Sequence, residues 1–369
     1  MCTTIRDAVI EIDGSYGEGG GQVLRTALTL AAVTGQPTHV RHIRAGRRNP
    51  GLAPQHLTGV AALAQICDAQ TSALSIGCTD LVFAPRSRPR PGDYMFDVAE
   101  STHGGSAGAV SLVLQTVLLP LARARGASRV VLRGGTHVPW SPPFEYLEQV
   151  YLPALAQLGY GATCRLDKWG FYPAGGGQIT VEVHGAPDDA AGEASVGPAP
   201  LTQQRVERGA LKHVHGQGVA CNLPAHVAQR IVNRAHNVLS QAGLPDEISP
   251  RLARGPGPGA YLWLLAEYEH GLAGFCALGE KGKPSERVAD EACQALLAHH
   301  AQNAPVDAHL ADQQLLPLAL TAGRSEFRTS RVTAHLITNA YVIRQFVPAT
   351  IEITGQEGEA GAVLMQGVG

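Results

Sequence analysis

An α/β or α+β layered fold is what this sequence predicts, and three observations lead there. Short β-branched runs alternate with longer Ala/Leu-rich runs through the first half of the 369 residues, as strands interleaved with helices do. Glycine clusters punctuate the same half: GEGGGQ at 17–22, GGSAG at 104–108 and PAGGGQ at 173–178. Apolar residues make up 44% of the chain, enough for a sizeable core spread over two or three domains.

Residues 9–13 read as a strand, 19–34 (with QVLRTALTLAAVT) as a helix and 39–43 as a strand. A helix follows over 55–67, with Leu57, Val60, Ala61, Leu63 and Ala64 on one side. A strand at 94–98 leads through a Gly/Ser turn into a helix at 109–123. Residues 129–133 are a strand, 143–158 a helix that opens on proline, and 178–183 a closing strand. The composition shifts at 184–200 (HGAPDDAAGEASVGPAP), which reads as a linker, and again at the GPGPG of 255–259. Between these breaks 224–243 is helical, so 185–279 is expected to form a small inserted α/β domain. The large domain is then 1–184 plus 280–369, with helices at 285–299, 307–322 and 331–346 and a strand at 350–354. The GGGQ core shared by the first and third glycine clusters hints at an internal repeat.

Composition narrows the function. With 29 Lys+Arg against 31 Asp+Glu the net charge is −2, which excludes an extended basic nucleic-acid sleeve but not recognition of a single nucleic-acid end. No apolar run reaches the ~18 residues of a membrane span, and MCTTIRDA does not resemble a signal peptide. Seven scattered cysteines without a CxxC argue against a disulfide framework or structural zinc, and fit a reducing cytoplasm. Lysine occurs only at 168, 212, 281 and 283. The sequence has neither a Walker P-loop nor a K-x-D-G nucleotidyl-lysine motif, so any nucleotide chemistry runs through another residue.

Several segments carry chemistry, each with a plainer alternative. In DGSYGEGGGQ, glycines at 17, 19, 20 and 21 let backbone approach a ligand at a helix start. Glu18 within that loop suits a divalent metal beside phosphates, although a turn with a solvated glutamate is the simpler reading. RAGRRNPGLAPQ (44–55) sets three arginines on one loop, a natural phosphate clamp or a set of surface cations. GGSAG matches the G-x-S-x-G elbow around Ser106, and Asp312 and His335 follow in hydrolase order; a turn or an anion site is the alternative. His213 and His215 have strand spacing that puts both rings on one face, but no third metal ligand is apparent. His309, Asp312 and Gln313 share one side of a helix. His335 stands inside an apolar helix, where a packed core histidine is the ordinary finding.

Taken together, DGSYGEGGGQVLRTAL, IRAGRRNPGLAPQHL, GGSAGAVSLVLQTVLLP, GGTHVPWSPP, GFYPAGGGQ, HLADQQLLPLAL and TAHLITNA resemble the RNA 3′-terminal phosphate cyclase family over nearly the whole chain. The resemblance implies tandem modules of two helices and a four-stranded sheet, related to enolpyruvyl transferases, with a smaller inserted domain. It implies an ATP-dependent enzyme that adenylylates a histidine, passes AMP to an RNA 3′-phosphate and closes a 2′,3′-cyclic phosphate with release of AMP. It assigns the nucleophile to His335 and the metal-side acid, for Mg²⁺ or Mn²⁺, to Glu18. It matches Gln115, Pro142 and the stretch His309, Leu310, Ala311, Asp312 and Gln313 to positions that hold ATP. Arg25, Arg44, Arg47 and Gln55 fall at polar positions near phosphates and RNA. Family members commonly carry tyrosine where this chain has His309. A non-catalytic, cyclase-like RNA-binding protein of ribosome biogenesis is the alternative within the resemblance, and a serine hydrolase using Ser106 the alternative outside it. The expected partners are ATP and RNA with a 3′-terminal phosphate; the sequence leaves a homodimer open.

Overall fold

One connectivity, used three times, organises the chain. The computed structural model describes residues 9–101, 107–186 and 203–369; Ser106 and most of the expected linker lie outside them. The first unit runs β1 (Ile10–Asp13), α1 (Gly21–Thr34), β2 (Thr38–Arg41), α2 (Pro54–Cys67), β3 (Gln70–Thr71) and β4 (Leu81–Ala84). Its sheet has the order β1-β2-β4-β3, with β1 parallel to β2 and the remaining pairs antiparallel. The second unit runs β5 (Asp93–Asp97), α3 (Val110–Ala122) and β6 (Ser128–Gly134). It continues with α4 (Phe144–Tyr146), a π-helical turn at Leu147–Tyr151, α5 (Leu152–Ala156), β7 (Ala162–Lys168) and β8 (Gly177–Val183). The sheet order is again first, second, fourth, third: β5-β6-β8-β7, with one parallel pair.

The third unit is interrupted. It opens with β9 (Gln203–Arg205), after which the chain leaves for a smaller unit of β10 (Leu211–Cys221), α6 (Ala225–Gln241), β11 (Asp246–Ala253), β12 (Gly259–Tyr268), β13 (Gly271–Leu278) and α7 (Ser285–Ala301). The chain returns as α8 (Ala308–Gln313), α9 (Leu315–Ala319), β14 (Gly323–Thr329), α10 (Ala334–Phe346), β15 (Thr350–Thr354) and β16 (Gly361–Gly367). β9 is parallel to β14, and the sheet order β15-β16-β14-β9 repeats the same pattern. The expected small domain of 185–279 differs from this pairing at both ends. β9 belongs to the third sheet, and α7 packs on the small one.

Burial patterns explain the layers. α3 is buried nearly all round, with Val113, Leu114, Val117, Leu118 and Leu121 at 1% exposure or less, as an apolar helix enclosed by other elements must be. Leu24, Leu28, Val60, Leu63, Val130, Ile179, Leu336 and Ile343 join it in one large core. A separate core of Val214, Ile231, Leu239, Leu262, Leu264, Val288 and Leu296 holds α6 and α7 on the small sheet. The opposite face of that sheet meets the larger body through Tyr261 and Trp263. The indole of Trp263 donates to Gln149 Oε1 at 2.9 Å, and the Tyr261 hydroxyl to Glu145 Oε2 at 3.2 Å. Glu145 in turn pairs with the fully buried His137 at 2.9 Å.

Local chemistry sets several boundaries. α1 ends at Gly35, whose φ of 74° is left-handed and whose N–H bonds Ala31 C=O. The helix expected over 307–322 is divided into α8 and α9, because Pro317 has no N–H to give the carbonyl of residue 313. The short or polar strands β3, β9, β11 and β14 escape the sequence reading because neighbours, not their own propensity, make them strands. No helix among the described residues is long and apolar enough to cross a membrane.

The attachment of α7 to the small sheet gives a direct check. Leu296→Ala, at a fully buried core position, is expected to cost about 2–5 kcal/mol in denaturant unfolding. Leu297→Ala, half-buried on the same helix, should cost less than half as much. Equal losses would show that α7 is packed some other way.

Candidate active site

The first glycine cluster turns sharply to reach α1. Gly17 and Gly19 have φ of 62° and 56°, a region closed to most side chains. A Cβ at Gly17 would stand 2.7 Å from Thr338 Oγ1, and one at Gly19 2.7 Å from the Gly46 nitrogen. The loop is therefore pressed between α10 and the arginine loop, and the ring of Tyr16 stacks on Tyr341 of α10 at 3.7 Å. Glu18, 19% exposed, projects from it toward both neighbours. Its Oε1 lies 2.8 Å from His335 Nε2, and its Oε2 accepts from Arg47 at 2.8 Å.

His335 is in the first turn of α10. That helix is capped by Thr333, whose hydroxyl oxygen accepts from Leu336 N–H at 3.0 Å. One turn further along the same face is Asn339. Its Oδ1 accepts from Gln22 Nε2 at 3.0 Å and from the Thr26 hydroxyl at 2.6 Å, and its Nδ2 donates to the Asp312 carbonyl at 2.8 Å. Gln22 also accepts from Arg25. The Asp312 carboxylate accepts from Thr333 at 3.4 Å. α1 and α10 thus lie side by side with their N-termini at the same end, where backbone N–H groups and helix dipoles favour an anion.

The electrostatics suit a neutral imidazole. Burial lowers the His335 pKa, and Arg25, His309 and Arg47 lower it further against the opposing pull of Glu18. Burial also brings Arg25 down to about 10, with Asp312 and Glu18 resisting, so its guanidinium stays charged at neutral pH. Asp312 is pushed well above the carboxylate range by burial and by Asp307, with Arg25 opposing.

A cavity beside these groups is lined by Arg25, Gln115, Tyr151, Asp312, Gln313 and Asn339, among others. Three of its buried polar atoms have no partner within the described residues: Arg25 Nε, Gln115 Nε2 and Gln313 Oε1. Two donors and an acceptor left buried and unpaired on one cavity are costly in isolation, and they form the hydrogen-bonding complement of a polar ligand.

The family model for RNA 3′-terminal phosphate cyclase matches residues 16–353. The chain belongs to that family. It is 50% identical over 360 residues to the RNA 3′-terminal phosphate cyclase of Methylococcus capsulatus, covering 97% of both chains. It is 49% identical to that of Trichormus variabilis, covering 95% of this chain and 97% of the other, and 41% identical to that of Archaeoglobus fulgidus, covering 95% and 99%. Among solved structures, the enolpyruvyl transferase NikO from Streptomyces tendae is matched at TM-score 0.38 and 11% identity. The match covers 97% of this chain but spans only 48% of that one, too distant to argue from.

Against this cyclase fold the expected residues separate into groups. Glu18, Arg25, Arg47 and His335 come together, as do Gln115, Asp312 and Gln313. Arg44 turns back, donating to the Gly51 carbonyl at 2.7 Å, while its burial lowers its pKa. Gln55 lies beside Gly108, where an added Cβ would meet its Oε1 at 3.0 Å. His309 is exposed and stands edge-on to Tyr146 at 6.4 Å. Leu310 and Ala311 are buried in the large core, so their side chains serve packing. Pro142 sits half-buried just ahead of α4 and outside the residues that line the cavity. The Asp312–His335 pairing that a serine hydrolase needs is not formed, since the partner of His335 is Glu18.

Gln22, Thr26, His56 and Asn339 received no role from the sequence, although Gln22 and Asn339 stand inside GGGQ and ITNA. His56 is buried between Arg25 and Arg44, which together with burial hold its pKa well below 6.5. Its Nδ1 accepts from Ala53 N–H at 3.3 Å, so the neutral ring keeps its proton on Nε2, facing Gly21 and Arg25. Nothing but burial would have revealed it.

The sign of the Glu18 effect is testable. The carboxylate raises the pKa of His335, so Glu18→Gln should move the protonation of that ring to lower pH. NMR titration of the metal-free protein, with the resonance assigned by His335→Ala, reads this directly. A shift to higher pH would contradict the geometry.

Proposed function

We propose that this chain converts an RNA 3′-terminal phosphate to a 2′,3′-cyclic phosphate through a covalent His335–AMP intermediate. The observation that carries the reading is a neutral imidazole at a helix N-terminus, beside a cavity whose buried donors and acceptor await a polar ligand. Family membership supplies the reaction; these residues support its assignment to His335.

In the first step the unshared pair of the His335 imidazole attacks the α-phosphorus of ATP, and pyrophosphate leaves. Neutral imidazole is a good nucleophile, and its phosphoramidate divides one hard step into easier ones. Arg25, held charged and buried, and Arg47 face the developing negative charge, where fixed cations act with little reorganisation. Gln115 and Gln313 offer their unpaired amide atoms to the nucleotide, and His309 offers an exposed ring. Pro142 and the backbone of Leu310 and Ala311 complete that set. In the second step an oxygen of the RNA 3′-phosphate attacks the phosphorus of His335–AMP and restores the imidazole. In the third the neighbouring 2′-OH attacks the 3′-phosphorus, its proton is lost, and AMP leaves. Arg44 and Gln55 are the further polar groups assigned to the RNA end.

Glu18 would hold a divalent metal ion, Mg²⁺ or Mn²⁺. A single carboxylate beside phosphate oxygens suits such a hard ion, and a buried Oε1 without a hydrogen-bond donor fits that use. The metal, when bound, neutralises charge on the phosphate oxygens.

Incubation with ATP labelled in its α-phosphate should give an acid-labile covalent label. It should be absent in His335→Ala, which still binds ATP through the cavity residues. A stable label in that variant would move the nucleophile elsewhere.

The terminal sugar provides an independent check on the later steps. Attack by the 3′-phosphate does not use the 2′-OH, whereas ring closure is made from it. With the 2′-OH held beside the activated phosphorus, closure is effectively unimolecular, and the adenylylated end should be scarce on RNA. A terminal 2′-deoxy, 3′-phosphate oligonucleotide should accumulate that end and form no cyclic product. Failure to form it, while matched RNA is cyclised, would contradict AMP transfer to the 3′-phosphate.

A further inference from the structure

The inserted unit carries a second constellation that the cyclisation chemistry does not use. His213 and His215 alternate with Val214 on β10. Val214 is fully buried in the small core, so both imidazoles point to the opposite face of the sheet. Strand pairing then decides what surrounds them. In the parallel pairing of β10 with β11 the direct partner of His215 is Glu247. In the antiparallel pairing of β10 with β12 the direct partner of His213 is Glu267. Two imidazoles and two carboxylates are therefore neighbours by backbone register, whatever rotamers they adopt.

Side-chain geometry adds to this. One ligand atom each from His213, His215 and Glu247 lies within 4.8 Å of the others. His215 faces Glu247 through Nδ1 and Glu267 through Nε2, at 3.8 Å in both cases, beyond hydrogen-bond length. The two rings are 4.7 Å apart and tilted by 52°, so they do not stack. A register irregularity between Leu211 and His213 makes Lys212 the extra residue of a bulge, the kind of feature that re-aims a neighbouring side chain. Lys212 donates to Glu267 at 3.4 Å at the rim. His215 is 45% exposed and Glu247 79%, so an ion can reach the patch from solvent.

We propose that His213, His215 and Glu247 form a binding site for a borderline divalent transition-metal ion, with Zn²⁺ the fitting choice, and that the ion clips β10 to β11. Two imidazoles and one carboxylate are a zinc donor set with one position left open. At zinc–ligand distances of about 2.0–2.1 Å, tetrahedral ligand atoms stand roughly 3.3 Å apart. The three groups close that gap by rotating exposed side chains, without moving the strands. Glu267 or water takes the fourth position. Imidazole nitrogens disfavour Mg²⁺ here, so the site is separate in chemistry as well as in residues from Glu18.

The test uses the full chain stripped of metal by a chelator. Calorimetric titration with Zn²⁺ should show one site, unaffected by millimolar Mg²⁺, and the bound ion should raise Tm as any ligand of the folded state does. Co²⁺ should give the visible absorption of a tetrahedral nitrogen–oxygen site. His213→Ala with His215→Ala should weaken Zn²⁺ about tenfold or more and abolish both the Tm rise and the Co²⁺ band, leaving cyclisation intact. Glu247→Gln, on an exposed side chain that folding does not need, should weaken Zn²⁺ as well. His335→Ala separates this site from the catalytic histidine and should bind Zn²⁺ as the wild type does. Absence of binding to wild type, unchanged affinity in the double variant, or loss on His335→Ala would each overturn the assignment.

Discussion

A buried amide on α10 holds the candidate site together. Asn339 meets Gln22, Thr26 and the carbonyl of Asp312 at once, and it is 1% exposed. Removing such a group strands its buried partners at a cost of about 1–3 kcal/mol, so the bonds admit one relative position of α1 and α10. Everything in the site follows from that position. His335 and Asn339 are one turn apart on α10, as Gln22 and Thr26 are on α1. When Asn339 sits on Gln22 and Thr26, His335 must sit on Glu18. A helix slipped by one residue would carry the imidazole off this face.

The same arrangement sets the protonation states. Burial lowers the pKa of Arg25 and raises that of Asp312, and each shift is opposed by the other residue. Arg25 remains a cation because its usual value is so high. His335, starting near neutrality, is the group that burial, Arg25, His309 and Arg47 move toward its neutral form, against Glu18. A neutral imidazole and its flanking cations, the states that the proposed phosphoryl transfer needs, are thereby favoured by desolvation that no single pair could supply.

The site also shows why the fold repeats its unit. α1 comes from the first unit, α3 with Gln115 from the second, and α8 and α10 from the third. No single unit contains both the histidine and the groups that face it. The smaller unit enters between β9 and α8, so it interrupts the third unit without displacing α10. Its sheet docks through Tyr261 and Trp263 onto α4 and the π-helical turn. The part of that sheet face that carries His213, His215 and Glu247 is open to solvent at His215 and Glu247.

Much of this was legible in the chain itself. Alternation and glycine punctuation were enough for a layered α/β or α+β fold and for most of the long helices, because periodic burial is a local signal. The spaced motifs identified the family and pointed to His335 and Glu18 as candidates. What the chain could not show were the pairings. Strands such as β3, β9 and β14 become strands only against their neighbours. Leu310 and Ala311 share a motif with Asp312 but turn into the core, since three adjacent helical residues cannot face one way. His213 and His215 had no visible third ligand because Glu247 arrives from another strand by parallel register. His56 and Asn339 were silent for the same reason: a polar side chain's role depends on what is buried around it. Sequence determined which elements form and which reaction family they serve. Tertiary structure alone decided which polar groups meet, because contacts between residues hundreds of positions apart are set by packing, and packing is not a local property of the chain.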